Sequence, residues 1–205
     1  MHTFLADPKC HRPLDVILAI DSSGRTSAAN WETILQFCKS LVVQLEPISA
    51  RENRVGVLTF NEQPDVVTDL NRGISRSQIE KSFNKLRATK PVGMTFTDNA
   101  LKEALRLYES GRGIRDAHKV LILFYDGKTA DRLGKRGVAL MKEPTDKLHK
   151  QDVNTFVVEF GPYIGEEDIL NFVSAPKLEH IYTLNDLPEL AAAVKKEAWR
   201  ACAQK

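Results

Sequence analysis

The chain has 205 residues, 42% of them hydrophobic and 27% charged, which is enough apolar material for one well-packed globular domain. Its formal net charge of +2 is too small for bulk electrostatics to hold it on nucleic acid or a membrane surface. No apolar run approaches the roughly 18 residues that a bilayer span requires, which argues against membrane insertion. Met1–Phe4 also lacks the charged start and apolar stretch of a secretion signal.

Residues 1–12 read as an irregular leader containing Cys10, followed by a single domain over 13–202 and a tail over 203–205. Leu14 to Ile20 is an almost unbroken apolar run rich in branched side chains, the pattern of a strand buried on both faces, and it stops on Asp21. Ser27 or Asn30 can cap a helix reaching about Leu45, with Ile34, Leu35, Phe37, Cys38, Leu41 and Val42 at helical spacing. Arg54–Phe60 reads as a second strand, and Pro64–Thr68 as an antiparallel edge beside it. Ile79, Phe83 and Leu86 mark a short helix begun by Ser75 or Ser77.

A further helix is expected from a cap at Thr97 or Asp98, with Leu101, Ala104, Leu105 and Tyr108 on its apolar side. Lys119–Asp126 repeats the first theme, a buried strand running into an aspartate followed by glycine. Val138–Lys150 reads as a helix weakened by Pro144, and Val153–Phe160 as a fourth strand. A short helix around Glu166–Val173, a strand at His180–Thr183 and a helix capped by Asn185 or Asp186 complete the order. This alternation predicts a three-layer, Rossmann-like α/β fold: a mostly parallel sheet with one antiparallel edge strand and helices on both faces.

Open sheets of this kind place their ligand sites at the carboxyl ends of the strands. Two such ends carry an acid, Asp21 and Asp126, and a third loop, Gly93–Asp98, offers hydroxyls and backbone donors. Carboxylate and hydroxyl oxygens gathered from several loops are the donors that a hard cation such as Mg2+ takes, rather than sulfur or imidazole. The five histidines are scattered with no ligand spacing.

On these residues the chain resembles the von Willebrand factor type A domains, in the pattern of the matrilin and collagen-binding matrix modules. The family's metal-ion-dependent adhesion site combines an Asp-x-Ser-x-Ser loop, a threonine from Gly-x-Thr-x-Thr, and an aspartate from a strand ending in Thr-Asp-Gly. Matched position by position, Asp21 and Ser23 stand in the first loop, Thr95 in Gly93-Met94-Thr95-Phe96-Thr97, and Asp126 in Tyr125-Asp126-Gly127. The resemblance implies bound Mg2+ or Mn2+, and a secreted adhesion or matrix module that binds collagen or other extracellular matrix proteins. It implies no enzymatic activity. Arg25, Met94, Phe96, Lys128 and Arg132 would form a rim available to a partner.

One position departs from the pattern. Arg25 stands where the second hydroxyl of the first loop belongs, and a guanidinium has no lone pair to donate to a metal. Either Ser23, Thr95, Asp21 and Asp126 hold a cation weakly with water in the missing place, or Arg25 folds inward and neutralises the two aspartates. The three cysteines leave two readings as well. Cys10 and Cys202 are either joined across the domain's ends, as the flanking cysteines of the matrix modules imply, or they are unrelated thiols. Cys38 reads as a buried free thiol.

Enzyme readings find little support in the residues. The chain has no Gly-x-Ser-x-Gly elbow and no phosphate-binding Gly-x-x-x-x-Gly-Lys-Ser/Thr loop. A Mg2+-dependent phosphotransferase of the Asp-x-Asp type would need its acid where Ser23 stands. The remaining alternative to a binding module is a structural, self-associating unit in which the site is a relic.

Overall fold

A computed structural model describes residues 11–110, 115–161, 169–170 and 172–199. The strands are β1 (Leu14–Asp21), β2 (Arg54–Phe60), β3 (Pro64–Thr68), β4 (His118–Tyr125), β5 (Val153–Glu159) and β6 (Ile181–Thr183). The helices are α1 (Ala28–Gln44), α2 (Arg76–Leu86), α3 (Thr97–Glu109), α4 (Gly137–Lys150) and, after β6, α5 (Leu187–Glu197). The sheet order is β3-β2-β1-β4-β5-β6, with β3 antiparallel to β2 and every other pairing parallel. The fold is the expected one.

Every residue of β1 is buried, and alternate side chains serve opposite layers. Val16, Leu18 and Ile20 pack with α1, α2 and α5, where Ile34, Leu41, Phe83 and Leu190 meet them. Ile17 and Ala19 pack on the other face with Leu101, Leu105 and Tyr108 of α3 and Met141 and Leu148 of α4. A fully buried aliphatic side chain of this kind contributes about 1.5–3 kcal/mol, so truncating one of them costs stability on that scale.

Several local expectations are refined. Ser27 caps α1 and Ser75 caps α2, each accepting from a backbone N–H three residues on. The residue preceding α3 is Phe96, which caps nothing through its side chain; Thr97 and Asp98 lie inside the helix and are both buried. Asp186 precedes α5, but its carboxylate turns back to accept from the N–H and hydroxyl of Thr183, each at 2.7 Å. Pro144 sits inside α4 without ending it. Cys38 is fully buried and free. Cys10, Cys202 and half of the helix expected at Glu166–Val173 lie outside the described residues.

Candidate functional site

The chain leaves β1 toward β2 on one side, then returns to β4 on the other, so β1 and β4 flank the point where the sheet's winding reverses. Their parallel register aligns Ile20 with Phe124. This delivers Asp21 and Asp126 to adjoining strand ends, at the crevice where α/β sheets of this type bind ligands. Both carboxylates are buried, Asp21 at 0% and Asp126 at 1% exposure.

Three loops are laced together around them. The N–H of Ser22 donates to the carbonyl of Phe60 at 2.8 Å, anchoring the first loop to the end of β2. Gly24 N–H donates to Gly93 O, and Val92 N–H to Ser22 O, both at 2.9 Å. A Cβ on Gly24 would stand 3.3 Å from the Gly93 carbonyl, so close approach of the first two loops favours glycine there. Thr95 O in turn accepts from Ala130 N–H at 2.8 Å and from the Thr129 hydroxyl at 3.2 Å, joining the second loop to the third.

Within this frame the four expected site residues come together. Asp21 Oδ1 accepts from the Ser23 N–H at 2.8 Å, and the Thr95 hydroxyl lies 3.4 Å from Asp21 Oδ2. Asp126 Oδ1 accepts from the Lys128 N–H at 3.0 Å. The Ser23 hydroxyl is buried and has no partner of hydrogen-bond geometry among the described residues. Thr26 does not supply a shifted ligand; its hydroxyl donates to the Asp21 carbonyl at 3.2 Å.

Arg25 folds inward. Its Nε donates to Asp126 Oδ2 at 2.5 Å, and its Nη2 lies 3.0 Å from both Asp126 Oδ1 and the Thr95 hydroxyl. The same Nη2 donates to the Lys128 carbonyl. The guanidinium thus grips both oxygens of Asp126 in a fork, the strongest geometry for an arginine–carboxylate pair. One third of the Arg25 side chain remains exposed, so it closes the site like a stopper between solvent and the buried acids.

Burial, and then the nearby charge of Asp126, push the Asp21 carboxyl up to about 7; the Ser23 N–H and Arg25 pull the other way. The hydrogen bond to Asp126 raises Arg25 further above its already high value, so it is charged at every relevant pH. Two carboxylates and two hydroxyls would suit a hard cation, and the orphaned Ser23 hydroxyl is a donor to spare. With Arg25 in place, however, both Asp126 oxygens and the Thr95 hydroxyl are engaged, and a fixed positive charge stands among them. The residues as arranged do not fit a divalent cation. Elsewhere among the described residues no group of three or more His, Cys, Asp or Glu is placed to hold a metal.

The expected rim divides. Met94 is 53% exposed, as is its neighbour Val92, and Lys128 is also at the surface. Arg132 instead turns back, donating to Asp98 Oδ2 at 2.7 Å and Asn99 Oδ1 at 2.8 Å, and its guanidinium lies over the Phe96 ring at 4.6 Å. Asp98, which also accepts from Lys102 at 2.7 Å, is the residue that sequence reasoning missed as an organiser of this edge. Its only sequence signal is the Asp98–Lys102 spacing along one helix face.

Residues 15–196 match the family described as von Willebrand factor type A domain. The collagen alpha-5(VI) chain of Mus musculus is 26% identical over 206 residues, covering 99% of this chain and 7% of that protein. Matrilin-4 of Mus musculus is 30% identical over 135 residues, covering 62% of this chain and 21% of that one. The chain therefore spans a small part of the relatives it matches. The manganese-loaded TRAP protein of Plasmodium vivax shares the fold, with a TM-score of 0.76 and 21% identity over 92% of this chain and 74% of its own.

Proposed function

The chain belongs to the von Willebrand factor type A domain family, and from that premise we propose that it is a non-enzymatic, secreted module that binds collagen or another extracellular matrix protein without a bridging cation. The relatives that support the matrix setting are matrix proteins by name, collagen VI and matrilin. The observation that carries the cation-independent reading is the Arg25 fork on Asp126, with Nη2 also on Thr95. In this reading the guanidinium is the site's resident cation, and divalent ions bind weakly or not at all.

The arrangement also bears on catalysis. The raised carboxyl of Asp21 is sealed at 0% exposure behind Arg25, out of reach of a substrate atom for proton transfer. Solid-phase binding to collagen and to other purified matrix proteins, in Mg2+ and in chelator, tests the function. Equal binding in both supports it; binding that chelator abolishes contradicts the cation-independent reading, and absence of binding to every matrix protein contradicts the matrix reading.

A further inference from the structure

Helices α3 and α4 enclose a groove of about 390 Å3 on the sheet face opposite α1, lined by Lys102, Lys135, Lys142, Lys147 and Lys150. The acids lining it are Glu143 and Asp146. Five cations against two carboxylates leave a surplus of three in one groove, in a chain whose whole formal charge is only +2. Lys142–Asp146 and Lys147–Glu143 are exposed pairs one helical turn apart at 2.7 and 2.8 Å, screened by solvent and readily exchanged for an incoming anion. Lys102 shares the buried Asp98 with Arg132, so that single carboxylate leaves a cation in excess. Lys135 and Lys150 make no ion pair among the described residues.

The cations are strung along the groove rather than clustered. Lys135 stands just before α4, and Lys142, Lys147 and Lys150 follow over its last nine residues, a rise of about 12 Å. A single phosphate or carboxylate would use a fraction of that length, whereas an extended polyanion with spaced charges uses all of it. The groove walls carry no aromatic side chain on which bases could stack, the feature that single-stranded nucleic acid sites use. We propose that this groove binds a sulfated polysaccharide chain. The choice of sulfated polysaccharide among polyanions rests on the matrix reading above; the positive groove does not depend on it.

The test is calorimetric titration with heparin of the wild-type chain, a groove variant (Lys142→Gln, Lys147→Gln, Lys150→Gln) and a control of equal charge (Lys81→Gln, Lys85→Gln, Lys196→Gln). All six lysines are exposed, and circular dichroism checks that each variant is folded. Wild type and control should bind alike and lose affinity with added salt, with the groove variant weaker by roughly tenfold or more. Equal weakening in both variants overturns the proposal, as does equal affinity for desulfated heparin or for single-stranded DNA. Collagen binding retained by the groove variant keeps the two sites' readings separate.

Discussion

Arg25 and Asp126 lie 101 residues apart in the chain, yet Arg25 Nε stands 2.5 Å from Asp126 Oδ2. The two loops meet because β1 and β4 are neighbours in the sheet, and the residue that departs from the family's metal-site pattern is the one that fills its centre. In the proposed reading, charge that a divalent ion would supply from solution is supplied by the chain itself.

Breaking this pair should cost stability in an uneven way. Arg25→Ala leaves Asp126, at 1% exposure, charged beside Asp21 with no cation. Because the arginine is partly solvated, we expect a loss of about 2–3 kcal/mol, below the range for a fully buried pair. Asp126→Asn removes the buried charge and relieves Asp21, and should cost less. Urea denaturation of the two variants checks the order; a larger loss for Asp126→Asn contradicts it.

Stability should also fall as pH rises toward neutrality. Asp21 titrates at about 7 in the folded chain against 3.8 in the ordinary group, so between those values the folded state holds a proton that the unfolded state has released. The unfolded state binds fewer protons there, and the contribution present at acid pH is lost as pH climbs through about 7. Urea midpoints at about pH 5 and about pH 8 should therefore differ more for wild type than for Asp21→Asn. Parallel pH profiles for the two proteins would count against a proton held by Asp21.

The opposite end of β1 carries a second buried pair that should behave differently. Arg115, 16% exposed, donates to Asp15 Oδ1 at 2.5 Å and to the Glu52 carbonyl at 2.7 Å. Arg115→Ala should cost about 3–5 kcal/mol, since it strands a charge at 1% exposure. It should leave any response to divalent ions as in wild type. A change in that response would mean the two ends of β1 are coupled.

The cysteines give a chemical check. Burial raises the Cys38 thiol well above its ordinary value, so it should resist alkylation until the chain is unfolded. Mass spectrometry without reductant should find Cys10 joined to Cys202; both thiols free would count against an oxidising, extracellular setting.

Much of this site could be read from residues alone. Asp21 and Asp126 each end an apolar run, and Thr95 lies in a glycine-led loop entering a helix, so their convergence follows from the strand alternation. The direction of Arg25 does not, because it depends on where the Asp126 loop comes to rest against the first. The same limit applies to Arg132, expected on the rim but turned back onto Asp98, whose burial depends on how α3 seats against the sheet. The lysines of α4 look like an ordinary solvated face in sequence. Only the packing of α3 beside α4 brings Lys102 across from them and makes a groove.

The central claim is that a guanidinium stands in for a divalent cation, and thermal unfolding with increasing Mn2+ tests it directly. A ligand bound only by the folded state raises the melting temperature by an amount that grows with the logarithm of one plus the ratio of free ligand to Kd. Wild type should show no shift, and Arg25→Ser, which restores the missing hydroxyl, should gain a shift that Asp126→Ala removes. A clear Mn2+ shift in wild type that Asp126→Ala abolishes would contradict the account.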